Sequence, residues 1–199
     1  MCNLYRLETG PEAIRKAFAD MQIGFGFPEG IPNIEPREIR ITDHAPIVRA
    51  ARAEAGAGPG EAELVQRRWS WPGAGGKPVY NFRSEGREFS TGRCLIPADG
   101  FYEFTPHSDP KSKRKHKWLF TLKGEPWFAI AGLWRTDPAV GDAFTMLTCA
   151  PSPDVAPYHN RSIVVLPPAE FGRWLDPSVP AADLLKPLPA GSLAARQVA

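Results

Sequence analysis

Three cysteines in 199 residues are too few, and odd in number, to frame a secreted disulfide scaffold. No CxxC or HxxxH spacing joins them to the four histidines, so neither a metal site nor a cofactor is expected. No apolar run approaches the ~20 residues of a membrane helix, and no signal-peptide pattern opens the sequence, so a cytoplasmic protein away from the membrane is the expectation. Charge of one sign is also scarce: 24 Lys+Arg stand against 22 Asp+Glu, which argues against a strongly basic nucleic-acid binder. What is plentiful is punctuation, with 22 prolines and 18 glycines. Hydrophobic residues at 43% exclude global disorder, and the length suits one domain spanning 1–199 with a real core.

The small net charge hides an uneven distribution. Residues 62–117 hold eleven basic side chains against six acidic, a local excess of five, while the last fifty residues balance at four of each sign. Such a field can attract phosphate because salt screens more distant charge. The competing reading of Lys111–Lys117 is a solvated loop between strands.

Thr9-Gly10-Pro11-Glu12 predicts a capping box opening a helix, with Ile14, Ala17, Phe18 and Met21 on one face. A Gly/Pro-rich stretch runs from Gly24 to Pro36, followed by strand-like runs at Ile39–Ile41 and Pro46–Ala50. Residues 53–62 read as a surface loop. From Trp69 to Leu166 the pattern is mainly β, with runs at Val79–Phe82, Cys94–Ile96, Phe101–Phe104, Trp118–Leu122, Trp127–Trp134, Phe144–Cys149 and Ile163–Leu166. Short helices are predicted near Ser152-Pro153 and Pro168, and an extended or frayed tail beyond about 177. The fold class is therefore α+β: one domain on a mostly antiparallel, barrel-like sheet with a few short flanking helices.

Cys2 is the residue of greatest chemical interest. Removal of Met1 would leave a free α-amine and a thiol on one residue, a pair that closes a thiazolidine on an aldehyde. The amine's reference pKa of about 7.8, against about 10.4 for lysine, makes it the natural Schiff-base former. Cys94 and Cys149 lie in apolar strand patterns and read as core. Asn81, Arg83 and Glu85 alternate with Phe82 and Ser84, so they would share one strand face, as a solvated edge or as a site. Glu103 stands between aromatics, where lost hydration would raise its pKa toward proton-transfer values. His159 is a candidate acid/base and Arg161 a phosphate fork. Arg68-Trp69-Ser70-Trp71 reads either as a base-stacking platform or as core, with core preferred for Trp118, Trp127 and Trp134.

In this order, Cys2 after Met1, Arg68-Trp69 with Pro72, Asn81-Phe82-Arg83-Ser84-Glu85, the string from Arg93 to Glu103 and His159-Asn160-Arg161 resemble the SOS response-associated peptidase family. Members attach an N-terminal cysteine to abasic sites in single-stranded DNA. The resemblance runs from residue 2 to about 175. It implies Cys2 as the crosslinking nucleophile, Asn81 as the group orienting it, Glu103 as the proton shuttle and His159 as the acid/base for sugar ring opening. It also implies Arg83 and Arg161 as phosphate contacts, with Asn33 and Trp69 lining the DNA groove. Further implications are a DNA-damage role, self-processing peptidase activity and lyase-like Schiff-base chemistry. The expected setting is a cytoplasmic, bacterial, nucleoid-associated monomer, with the replication machinery open as a partner.

Departures are visible. Asn3-Leu4 replaces the family's usual Gly-Arg, with Arg6 open as a substitute; Ser162-Ile163 replaces Met-Pro; and Phe104 stands where tryptophan is frequent. Two other classes remain open: an N-terminal-nucleophile cysteine amidohydrolase or peptidase on a non-DNA substrate, and a non-covalent single-strand binding module.

Overall fold

The computed structural model describes residues 2–51 and 60–199. In chain order the strands are β1 (Leu4–Leu7), β2 (Phe25–Gly26), β3 (Arg37–Arg40), β4 (His44–Ala50), β5 (Ala62–Trp69), β6 (Trp71–Pro72), β7 (Pro78–Val79), β8 (Asn81–Arg83), β9 (Arg93–Ala98) and β10 (Gly100–Pro106). They continue as β11 (Lys115–Leu122), β12 (Phe128–Asp137), β13 (Gly141–Cys149), β14 (Ser162–Ile163), β15 (Val165–Leu166) and β16 (Leu193–Gln197). Two α-helices flank them, α1 (Pro11–Asp20) and α2 (Phe171–Leu175).

Five strands close on themselves. β5, β4, β9, β12 and β13 pair antiparallel in that order, and a parallel pairing of β13 with β5 completes the ring. The closing register is short, Ala143 against Arg68 and Phe144 against Trp69. Gly132 permits the tight packing of β12: a Cβ there would lie 2.7 Å from Ile96 Cδ1 and 2.9 Å from the Thr145 carbonyl. A second sheet runs β16-β11-β10-β1-β3. The single residue Asp99 separates β9 from β10, so the chain passes directly from barrel to second sheet. The Asp99 carboxylate also accepts from the Glu8 and Thr9 amides at 2.6 and 3.0 Å and from the Thr9 hydroxyl at 2.7 Å. It thereby ties the end of β1 to that junction.

This barrel-like, mostly antiparallel architecture with short helices is the one the β-rich pattern predicts. The differences are local. Helix α1 forms with Ile14 and Phe18 buried, but Gly10 is its N-cap and no side chain caps it. Thr9 is spent on Asp99 instead. The helix predicted at Ser152-Pro153 is a run of turns through Tyr158, with the Val155 and Ala156 amides donating to the Ser152 carbonyl; Pro153 and Pro157 keep it from propagating. Pro168 does lead into α2 through a 3-10 turn. Residues 193–197 are extended, yet paired with β11 rather than frayed. Of the loop predicted at 53–62, residues 53–59 lie outside the described residues, and Ala62 already belongs to β5. Strands β1, β2, β5, β6 and β16 lie outside the runs that the sequence pattern predicts.

Candidate active site

Strand alternation builds the pocket. On β10, Phe101 and Glu103 face the main core with Cys2, while Tyr102 and Phe104 face Leu4 and Leu119 on the opposite side. Glu103 is therefore 3% exposed, inside a protein rather than on a wet strand face. Burial is the main cause that pushes its carboxyl up to about 7, within proton-transfer range at neutral pH. The expected desolvation of this acid is borne out.

Cys2 is equally hidden, at 1% exposed. Its thiol donates to the Leu4 carbonyl at 3.3 Å. Burial, then the neighbouring Glu103 charge, raises the thiol to about 12, so it is held as S–H. The Asn81 amide donates to the Cys2 carbonyl at 2.7 Å, bridging 79 residues of sequence. Asn81 reaches it because β8 runs parallel to β13, with Asn81 opposite Met146. Its own Oδ1 is buried with no hydrogen-bond partner in the structure, an acceptor left open beside the Cys2 backbone. Cys94 and Cys149, by contrast, are simple core thiols at 0% and 2% exposure, as their strand patterns predict.

His159 is positioned by the residue before it. Tyr158 packs on Trp118, which is paired with Glu103 across β10 and β11, and meets Phe120 edge-on. His159 Nδ1 lies 3.0 Å from the Arg161 amide and 3.2 Å from the Arg161 carbonyl, so the backbone of Arg161 fixes that edge of the ring. Burial lowers the imidazole's pKa, favouring the neutral form.

Arg161 and Arg83 lie together at the edge of β13. Arg83 is exposed opposite Thr148, and Arg161 Nη2 donates to the Thr148 hydroxyl at 2.9 Å. Both terminal nitrogens of Arg161 also bond the Glu85 carboxylate, Nη2 at 2.9 Å. Strand β8 ends at Arg83, so Glu85 does not continue its face but turns toward Arg161. The partners Glu85 and Thr148 complete this cluster; a threonine inside the apolar run of β13 was the only sequence signal for the latter.

Two expected groove residues fall elsewhere. Trp69 is 0% exposed, stacked on Phe144 with centroids 6.5 Å apart, edge-on to Tyr5, and donating to the Tyr80 carbonyl at 3.0 Å. It supports the barrel seam and presents no face to a base. The platform reading fails because Ser70, held at φ +87° by its Arg68 contacts, turns the chain between the two indoles. Asn33 is exposed in a separate cleft of about 230 Å³ that includes Arg37 and Gln66 and none of Cys2, Asn81 or Glu103. Leu4 is a packing residue, and Arg6 pairs with Glu8 at 3.5 Å.

The basic excess is also narrower than the count implies. Arg67 is engaged by Glu29 and Asp142, Lys117 by Glu38 at 2.5 Å, and Arg93 by the Phe89 and Asp176 carbonyls. Lys111, Lys113 and Arg114 are exposed in the loop between β10 and β11, as the solvated reading has it.

A closed five-stranded barrel, with a buried Cys2 held by Asn81 and a desolvated glutamate close by, defines the class of protein. The chain belongs to the SOS response associated peptidase (SRAP) family, whose model matches residues 1–199. Among curated relatives, abasic site processing protein YoqW of Bacillus subtilis (strain 168) is 36% identical over 115 residues, covering 53% of this chain and 50% of the relative. Abasic site processing protein YobE of the same organism is 36% identical over 114 residues, covering 53% and 51%. The chain thus matches about half the length of these relatives. A solved Bordetella bronchiseptica protein superposes over 100% of both chains with a TM-score of 0.73 at 25% identity. A Bacteroides thetaiotaomicron protein gives 0.72 at 18% identity over 100% of this chain and 92% of its own, a likeness of fold.

Proposed function

We propose that this chain binds single-stranded DNA and joins Cys2 to the aldehyde of an abasic site as a thiazolidine. The observation that carries the reading is the placement of a protonated Cys2 thiol and an Asn81-held Cys2 carbonyl beside a carboxyl poised near 7. The α-amine freed by loss of Met1, through the chain's own peptidase activity or an aminopeptidase, adds to the sugar C1 carbonyl and forms a carbinolamine. Protonated Glu103 gives its proton to the departing hydroxyl, which leaves as water. The resulting carboxylate takes the thiol proton as sulfur attacks the carbon of the protonated imine, which leaves a neutral ring N–H and restores the Glu103 acid. One water is lost overall. His159 serves the sugar's opening from ring to aldehyde, and Arg83 and Arg161 hold flanking phosphates. Holding amine, thiol and acid together supplies effective molarity against a scarce open-chain aldehyde.

The hydrolase alternative needs a thiolate nucleophile. Burial and the Glu103 charge hold the Cys2 thiol well above the usual range, at about 12, so little thiolate is present at neutral pH. That favours attack by the amine first, with sulfur following. The names of the relatives support abasic sites as the substrate class.

The test is incubation with a single-stranded oligonucleotide carrying one abasic site, read on a denaturing gel and by intact mass. The expected adduct weighs the Met1-free protein plus the oligonucleotide less one water. No covalent band, or a full band from Cys2→Ala, overturns the reading.

A further inference from the structure

We propose that Glu85 is a resident anion in the Arg161 site, occupying the guanidinium fork until a nucleic-acid phosphate displaces it. The inference rests on the DNA-binding reading above and assigns Glu85 a role of its own within it. An arginine offers five N–H donors in a rigid plane, and a carboxylate and a phosphate compete for the same paired edge. Here Nη1 and Nη2 both bond Glu85, Nη2 is shared with Thr148, and Nε is buried with no hydrogen-bond partner in the structure. The fork that a phosphate would use is already filled by the chain's own carboxylate.

The two partners are not equally fixed. The Arg161 side chain is 16% exposed and anchored on Thr148, whereas that of Glu85 is 49% exposed. Glu85 also leads into Gly86, whose φ of +69° places it in a tight turn beyond the end of β8. The carboxylate is the member able to swing into water, leaving the cation aimed at the vacated position. Arg83, exposed opposite Thr148, adds a second positive charge beside the same spot. An ordinary undamaged strand must therefore compete with Glu85 for this contact, which weakens indiscriminate binding. A strand that also places an aldehyde at Cys2 has the covalent bond to offset that competition.

The experiment compares wild type, Glu85→Gln, Arg161→Gln and the double variant, using fluorescence anisotropy of a labelled, undamaged oligothymidylate across a salt series. Thermal melts confirm that each variant is folded. Glu85→Gln is expected to bind about 5-fold more tightly and to steepen the log K against log salt slope by about 0.7, one additional phosphate contact. The gain should vanish when Arg161 is already glutamine. Equal gains with and without Arg161 would mean simple removal of negative charge, and weaker binding by Glu85→Gln would make Glu85 a brace; either overturns the proposal, as does absence of binding by all four proteins. A wild type that crosslinks abasic DNA but shows no Arg161-dependent gain loses the gate and keeps the covalent reading. An Arg161-dependent gain in a protein that never crosslinks does the reverse.

Discussion

The centre of the site and its rim use opposite electrostatics. At the centre, Cys2 and Glu103 are stripped of water, and burial moves both proton affinities up, to about 12 and about 7. At the rim, Glu85 and Arg161 keep partial contact with solvent, and hydrogen bonding to the arginine holds the Glu85 carboxyl below the usual carboxylate range. Low dielectric tunes reactivity in the first case; pairing tunes availability in the second. Each region can be disturbed without the other, and this separation is what the following substitutions address.

The largest effect belongs to Cys2. Cys2→Ala is expected to abolish the covalent adduct, while anisotropy with undamaged single strand stays within about 2-fold of wild type. Cys2→Ser should retain a Schiff base that borohydride traps and that reverses without it, because a hydroxyl closes the ring far less readily than sulfur.

Next comes Glu103. Glu103→Gln should slow adduct formation by about 10²-fold, the usual worth of a positioned general acid, and remove the rate inflection near pH 7. The same change should raise the melting temperature above pH 7. A carboxyl whose folded pKa lies above its unfolded value contributes stability that is present below the ordinary glutamate range and lost as pH rises through about 7. A slower but hardier Glu103→Gln would show that burial here serves chemistry at the cost of the fold. If its melting curve at pH 8 lies below wild type, the burial argument fails.

At the rim, Arg161→Ala alone is expected to change the salt dependence of single-strand binding little, because Glu85 already fills the fork, and to leave the pH profile of adduct formation at saturating DNA unchanged, while cancelling the gain that Glu85→Gln gives. A moved pH inflection would show that rim and centre are coupled through the Arg161 amide on His159. Trp69→Phe should cost stability, measured by chemical denaturation, yet leave DNA affinity unchanged, in keeping with its burial at the seam. The smallest effect on chemistry is expected at Cys94: Cys94→Ala should form adduct at the wild-type rate while losing about 1–2 kcal/mol of stability.

Much of this was legible beforehand because it is local. The apolar runs from Arg93 through Phe104 and from Trp127 to Cys149 predict strands, and they supply three of the five barrel strands, β9, β12 and β13, together with β10 of the second sheet. Glu103 stands two residues after Phe101 in an aromatic strand, and the alternation that buries Phe101 buries the acid on the same face. What escaped was long-range or masked by polarity. Strand β5 begins Ala-Glu and ends Gln-Arg-Arg-Trp, so its alternation is blurred by buried ion pairs such as Arg49–Glu63, 2.7 Å apart. Strand β16, LAARQ, owes its existence to pairing with β11 rather than to its own composition. Alternation alone put Glu85 on the face of Asn81, and only the chain's turn after Arg83 sends it to Arg161, 76 residues away. Trp69 misleads for a related reason: next to Arg68 it looks like a stacking surface, and only ring closure puts it inside.

The barrel's seam has a consequence for timing. Strand β13 both completes the ring, through Ala143 and Phe144, and carries β8 with Asn81 a few residues along. A transient unzipping of that short parallel register would loosen the hold on the Cys2 carbonyl at the same moment. Whatever is sealed at Cys2 would then be released or exposed to water at the breathing rate of one seam, so hydrogen exchange at residues 144–148 becomes a clock for the site.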